Sequence, residues 1–325
     1  SILASSPDWN SLAVYQNTIT REDFERLLTQ VFTTGNAWQN YIQIGEKSAR
    51  IQTGNRPSDP VFQLNFASAE LTSPISRHWR MATELAPTTP GKSLAGLKIA
   101  IDPGHIGGEW AKIEERWFVV GAGKPVSEGE MTLQVAKLLK PQLEALGATV
   151  SLVRETLEPL TQKRPDSLLA LAKDTNLAND SPAALQKLAE RLFYRTAEIH
   201  ARADFVNQSI KPDLVLCLHF NAEGWGDPNL PVLIDRTHFH LILNGGYTDE
   251  EVMLVDQRFA LLQKIFQRTH EEEVRVGSIV AAIFSQVSGL PPYVYPADSK
   301  NVRAIDGQPY LWARNLLANR LYDCP

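Results

Sequence analysis

Short apolar runs alternate with long helical patterns between residues 97 and 269, and this order most constrains the fold. Runs typical of strands lie at residues 97–101, 149–153, 214–218 and 238–243. Patterns typical of helices lie at residues 131–146, at residues 182–207 and from residue 249 to about residue 269. Strands that alternate with helices of this length predict an α/β fold, in which a mostly parallel or mixed sheet is flanked by helices.

The segment 86–95 is rich in Pro, Thr and Gly, and it predicts a boundary between two domains. Upstream, Thr20-Arg-Glu-Asp23 forms a capping box that predicts a short helix. Residues 41–53 and 61–67 alternate apolar and polar side chains, as half-buried strands do. We therefore expect a small α+β domain over residues 1–94, which carries no chemical motif, and an α/β domain over residues 95–325.

The charge distribution argues against binding to nucleic acid. The net charge is −5, and Lys and Arg form no cluster of the kind that neutralises phosphates. An acidic run, Glu271-Glu272-Glu273, is predicted to be a solvated helix end. No apolar stretch reaches the roughly 18 residues that a transmembrane span requires, so we expect no transmembrane segment.

Two apolar runs end on a histidine. Residues 98–105 read Lys-Ile-Ala-Ile-Asp-Pro-Gly-His, and residues 213–219 read Asp-Leu-Val-Leu-Cys-Leu-His. The carboxyl ends of strands in an α/β sheet border the crevice where ligands bind, and imidazole is the commonest metal-binding side chain. Between the two runs, Glu128 and Glu130 lie at the start of a helical pattern. Two histidines and one carboxylate, with a fourth position left to water, are typical of catalytic zinc.

Each of these residues also has an ordinary structural explanation. A histidine at a strand end is often simply hydrogen-bonded, and a glutamate at a helix start interacts favourably with the helix dipole. His238 and His240, on one face of a predicted strand, are a weaker candidate metal pair because no carboxylate lies near them at ligand spacing. The sequence has no nucleophile elbow, P-loop or dinucleotide fingerprint, which disfavours serine hydrolases, NTPases and simple Rossmann enzymes.

The joint order of the motifs resembles the type 3 family of zinc-dependent N-acetylmuramoyl-L-alanine amidases. The similarity spans roughly residues 97 to 314 and rests on Asp-Pro-Gly-His at 102–105, a glutamate before the first helix, and Leu-His-Phe-Asn-Ala at 218–222. The resemblance implies that Zn²⁺ is bound by His105, Glu128 and His219. It favours Glu128 over Glu130 because Glu128 stands five residues before the helix residue Leu133.

The resemblance also implies a reaction and a place of action. The family hydrolyses the amide between N-acetylmuramic acid and L-alanine in peptidoglycan, so peptidoglycan is the expected partner and the expected location is periplasmic or secreted. Arg202 and Asn221 are expected to be supporting or substrate-contacting residues and not metal ligands.

The family's general base is a second glutamate on a late strand, and no catalytic residue of this kind is identified here. Residues 310–315 resemble the segment upstream of that strand, so we expect either that the chain continues past Pro325 or that the protein lacks this base. Glu223 is an alternative carboxylate for the role. Two other functions stay open: a catalytically silent zinc-containing module that binds or regulates the cell wall, and another zinc amidohydrolase or peptidase.

Overall fold

The computed structural model describes Leu3 and residues 6–175, 181–221, 224–227, 229–316 and 319–325. Its strands are β1 (Ile42–Ile44), β2 (Ser48–Gln52), β3 (Val61–Asn65), β4 (Lys98–Pro103), β5 (Trp117–Phe118), β6 (Val126–Ser127), β7 (Thr149–Leu152), β8 (Leu214–Leu218), β9 (Leu241–Leu243), β10 (Arg303–Ile305) and β11 (Gln308–Ala313). Its α-helices are α1 (Arg21–Leu27), α2 (Trp110–Ile113), α3 (Glu128–Ala145), α4 (Leu169–Thr175), α5 (Pro182–Leu192), α6 (Glu198–Asp204), α7 (Asp249–Val252), α8 (Val255–Gln267) and α9 (Thr269–Ser288). The predicted α/β fold is confirmed.

The chain divides into two compact units, and the division differs from the boundary predicted near residue 94. One unit combines Leu3–His78 with Thr237–Pro325, and the other is Trp79–Arg236. The first unit has a shared hydrophobic core, in which Phe24 and Phe266 stack with ring centroids 6.2 Å apart. The described residues of 237–325 therefore pack with the N-terminal segment, and their strands belong to a different sheet from the one that leads to His105.

The unit Trp79–Arg236 is built on a parallel three-stranded sheet in the order β7-β4-β8. Helix α3 connects β4 to β7 and contributes to an apolar core with these strands, whose buried members are Ile99, Ile101, Ala136, Ala148, Val150 and Leu152. A long helical run, residues 182–210, precedes β8 and includes two π-helical turns between and after α5 and α6. Parallel strands need such crossover connections, which place all three carboxyl ends at one edge.

The register of β4 and β8 sets the position of the two candidate histidines. Pro103 at the end of β4 lies opposite Leu218 at the end of β8. His105 follows Pro103 by two residues, and His219 directly follows Leu218. Both histidines therefore leave the same edge of the sheet from neighbouring strands.

The other unit contains two separate sheets. Strands β1, β2 and β3 form an antiparallel sheet beside α1, whose predicted start at Thr20 is confirmed because the Thr20 hydroxyl accepts a hydrogen bond from the Asp23 N–H. Strand β9 pairs in parallel with β11, and β10 pairs antiparallel to β11. None of the helices in the described part of the chain is long and apolar enough to span a membrane.

The acidic run 271–273 lies near the start of α9, and of its three residues only Glu271 is exposed as predicted. Glu272 and Glu273 are both buried. The Glu273 carboxylate accepts hydrogen bonds from the backbone and the side-chain amide of Asn244, and burial raises the pKa of Glu273. The prediction was wrong for Glu272 and Glu273. Glu272 pairs with Arg275 on the same helix, Glu273 accepts hydrogen bonds from the distant Asn244, and a local charge pattern does not reveal that either carboxylate is buried.

Candidate metal centre

The ends of β4 and β8 bring the rings of His105 and His219 together. Their centroids are 5.0 Å apart and the ring planes are nearly perpendicular, at 87°. The Gly104 N–H donates to the Leu218 carbonyl over 2.9 Å, which continues the pairing of the two strands up to the histidines. A Cβ at Gly104 would lie 2.3 Å from Cε1 of His219. A glycine at this position therefore leaves the space that the His219 ring occupies.

Glu128 is the first residue of α3, and its two carboxylate oxygens contact both histidines. Oε2 lies 3.3 Å from His105 Nε2, and Oε1 lies 3.2 Å from His219 Nδ1. One ligand atom from each of the three side chains lies within 4.8 Å of the others, so the group could hold a metal ion. A tetrahedral ion at the usual zinc distances separates its ligand atoms by about 3.4 Å, which is close to both observed contacts.

The centre is anchored on one side and open on the other. The Glu128 side chain is 11% exposed, whereas the His219 side chain is 46% exposed. Burial raises the pKa of Glu128, but its contacts with His219 and His105 and the hydrogen bond from the Phe220 N–H outweigh burial and hold the pKa below its usual value. The carboxylate is therefore ionised and available to a cation at neutral pH.

The loop that carries His105 adopts an unusual backbone conformation. His105 has a φ of 62°, a left-handed value that costs a non-glycine residue about 1 to 3 kcal/mol unless its surroundings fix it. Three consecutive carbonyls of this loop accept hydrogen bonds from buried side chains. Arg202 donates to the carbonyls of Pro103 and His105, and the Thr132 hydroxyl donates to that of Gly104.

Arg202 links this loop to the helix before β8. It is buried, and besides the two carbonyls it donates to Asp102 Oδ1 and to Glu198 Oε1, each over 2.8 Å. Two carboxylates and two carbonyls compensate the desolvated guanidinium, as a buried charge requires. Arg202 lies behind the centre and is a tether for the loop, not a metal ligand.

The other candidates lie outside the set of three. Glu130 is half-buried two residues into α3 and is not in the group. Asn221 is exposed, and no hydrogen bond between described residues joins it to the three candidate ligands. Glu223, the alternative base, lies outside the described residues.

His238 and His240 belong to no group of three possible metal ligands in the described part of the chain, and both pack against Tyr293.

Two further charged side chains near the centre were not predicted. Glu114 is buried, and its Oε1 lies 3.5 Å from His105 Nδ1. Arg116 is 45% exposed at its side chain, and its Nε lies 3.5 Å from Glu128 Oε2. Both residues precede the β5–β6 hairpin, whose pairing brings Arg116 to the start of α3. Nothing in the local pattern of residues 109–118 indicates this contact.

The fold and these three side chains define an α/β protein with a candidate site for a metal ion. Comparisons of the chain with protein-family models, with curated proteins and with solved structures find no match.

Proposed function

We propose that this protein is a zinc-dependent amidase that hydrolyses the bond between N-acetylmuramic acid and L-alanine in peptidoglycan. The observation that carries the proposal is the approach of His105, Glu128 and His219, whose ligand atoms lie within 4.8 Å of one another. Two imidazoles and one carboxylate are a frequent ligand set of hydrolytic zinc enzymes, which keep a fourth position open. The 46% exposure of the His219 side chain is consistent with such an open position.

Bound zinc supplies a water whose pKa is lowered to about 7, and it polarises the carbonyl of an amide. Hydrolysis adds one water across the amide. The water oxygen bonds to the lactyl carbonyl carbon, the bond from that carbon to the L-alanine nitrogen breaks, and one proton passes to the leaving amine. The residues of this chain hold the candidate metal ligands in place. Glu128 remains ionised between the two histidines, and Arg202 fixes the loop that carries His105.

In this proposal, Arg116 binds the substrate. Its half-exposed guanidinium lies next to Glu128, so it faces both the centre and solvent. Stem peptides of peptidoglycan carry carboxylates, and a guanidinium binds a carboxylate through two parallel hydrogen bonds. In this proposal Arg116 orients the stem peptide relative to the metal. A peptidoglycan substrate requires a location in the periplasm or outside the cell.

Two measurements on the same purified protein test the proposal. Bound zinc is quantified by elemental analysis, and the release of peptides with an N-terminal L-alanine is measured on purified peptidoglycan. We expect about one zinc per chain and zinc-dependent release, and both should be lost in His219→Ala. His78→Ala is the matched control, because His78 and its partner Asp323 both belong to the unit that does not contain the candidate metal centre.

The possible results separate the functions. Zinc without peptide release, together with co-sedimentation of the protein with peptidoglycan, would support a silent zinc-containing wall-binding module. Zinc-dependent cleavage of other amides but not of peptidoglycan would support a different amidohydrolase or peptidase. Absence of zinc binding in the wild-type protein would overturn the zinc assignment and all three functions that depend on it.

A further inference from the structure

Glu114 is a buried carboxylate on the edge of the His105 ring that faces away from the metal centre. Its side chain is 5% exposed, and Oε1 lies 3.5 Å from His105 Nδ1. The other oxygen, Oε2, accepts a hydrogen bond of 2.7 Å from the Ile106 N–H. Glu114 therefore contacts both the ring and the backbone of the loop that carries His105.

The two nitrogens of His105 have different carboxylate neighbours. Nε2 lies 3.3 Å from Glu128, which belongs to the candidate ligand group, whereas Nδ1 lies 3.5 Å from Glu114, which does not. A neutral imidazole has one protonated nitrogen and one with a free lone pair. Only the nitrogen with the lone pair can bind a metal, so the neighbour of the other nitrogen decides which tautomer is favoured.

We infer that Glu114 is a positioning residue for the metal centre: it accepts the Nδ1–H of His105 and thereby directs the Nε2 lone pair to the metal. This inference rests on the proposed zinc site. Metal-binding histidines commonly donate their second N–H to a carboxylate, which fixes the ring orientation and makes the ligand more basic. His105 has a left-handed backbone conformation, which needs support from its surroundings. Glu114 supplies part of this support, because its carboxylate also accepts the Ile106 N–H.

Neither oxygen of Glu114 is placed to be a ligand or a proton carrier at the open side of the centre. Oε2 is used by the Ile106 N–H, and Oε1 faces Nδ1 on the far edge of the ring. Glu114 thus acts through His105 and does not contact the reacting atoms.

The β5–β6 hairpin connects this support to the ligand Glu128. Trp117 pairs with Ser127, and the Glu128 N–H donates to the Arg116 carbonyl over 3.3 Å. Glu114 lies two residues before Arg116, and Glu128 directly follows Ser127. Glu114, which orients His105, therefore precedes the hairpin, and Glu128, which lies beside His105 as a ligand, follows it.

The affinity for zinc is the first test, measured by competition with a chromogenic chelator on the folded apo protein. We expect Glu114→Gln and Glu114→Ala to weaken zinc binding about 10- to 100-fold. Glu114→Asp keeps the charge and should recover part of the loss. Glu109→Gln is the matched control, because Glu109 is on the same segment but pairs with Lys112, and it should bind zinc as the wild type does.

The tautomer of His105 is the second test and needs no variant at Glu114. In the zinc-loaded wild type, nitrogen-15 shifts of the imidazole should identify Nδ1 of His105 as protonated and Nε2 as metal-bound. The His105→Ala spectrum assigns the signals. In zinc-loaded Glu114→Gln, the Nδ1–H proton should exchange faster with solvent than in the wild type.

The outcomes distinguish this inference from the proposed function. Zinc binding that requires His105 but changes less than twofold in both Glu114→Gln and Glu114→Ala would overturn the role of Glu114 and leave the zinc site intact. Metal bound through Nδ1 would do the same. If the wild-type protein binds no zinc, the inference fails together with the proposed function. If Glu114→Ala does not fold, the Gln variant and the wild-type tautomer decide.

Discussion

The Phe220 N–H donates a hydrogen bond of 2.9 Å to Glu128 Oε1, so the residue after one candidate ligand fixes the position of another. The same oxygen lies 3.2 Å from His219 Nδ1. The backbone after β8 and the first residue of α3 are therefore joined by a direct hydrogen bond. A site built this way is preorganised, which lowers the cost of bringing ligands together when an ion binds.

Replacing Gly104 by alanine should impair the metal site more than the fold. The new Cβ would lie 2.3 Å from His219 Cε1, and the half-exposed ring can turn away from it. We expect the zinc affinity to fall at least about tenfold, since ligand positions must hold to roughly 0.5 Å. The measurement is chelator competition alongside a thermal melt of the apo protein.

Gly224→Ala is the control for Gly104→Ala, because a Cβ at Gly224 would meet no atom of the described residues within 4 Å. It should change neither zinc affinity nor melting. A Gly104→Ala protein with wild-type zinc affinity would contradict the close approach of the Gly104 backbone to His219.

Arg202→Met should strongly destabilise the unit Trp79–Arg236. The change leaves Asp102 and Glu198 without the guanidinium that bridges them, and breaking a buried ion pair costs about 3 to 5 kcal/mol. Arg191→Met, at an exposed position on α5, should cost little. Native-state hydrogen exchange of β4 amides in urea measures the loss, and a difference below about 1 kcal/mol between the two variants would argue against the bridging role.

His270 should make the unit that contains α9 sensitive to mild acid. Burial lowers the pKa of His270 from an ordinary 6.5 to about 4, and the positive charge of Arg26 acts in the same direction. The unfolded state therefore binds the proton first, so the stability contributed by neutral His270 is complete above pH 6.5 and declines as the pH falls towards 4. The difference corresponds to about 3 kcal/mol at most.

His270→Phe should remove this part of the acid sensitivity, since the new ring cannot bind a proton and lies beside Phe32. The measurement is the free energy of unfolding of both proteins at several pH values between 7 and 4. His78→Phe, at a less buried position, serves as the control. Parallel pH curves for the wild type and His270→Phe would contradict the prediction.

The sequence pattern predicts the strands of the sheet β7-β4-β8 because each apolar run is followed by a clear turn. It places the start of α3 near Met131, whereas the helix begins at Glu128. The first turn of α3 contains Gly129, and because glycine is a poor helix former the sequence pattern does not predict that this turn is helical. A Cβ at Gly129 would lie 2.2 Å from the Ile106 carbonyl oxygen, so tertiary packing explains this glycine.

The division into units and the position of Glu114 beside His105 could not be predicted from local sequence patterns, because both depend on tertiary contacts. The Leu28 and Leu262 side chains share one core although more than 200 residues separate them. Glu114 follows the short helix α2 and contacts His105, and its carboxylate has no motif of its own. Local hydrophobic periodicity predicts helices and strands, but it does not predict which helices and strands far apart in the sequence pack together.

Zinc should stabilise the folded protein through Glu128 and not through Glu130. A ligand that binds only the native state adds about 2.7 kcal/mol at a free concentration 100 times its Kd, so the melting temperature of the wild type should rise with zinc. Glu128→Gln should lose this rise, because Glu128 lies between the two histidines. Glu130→Gln removes an equal charge from the same helix turn outside the group of three, and it should keep the rise. Calorimetric melts at matched free zinc measure all three proteins. A rise that survives in Glu128→Gln and disappears in Glu130→Gln would transfer the ligand role to Glu130.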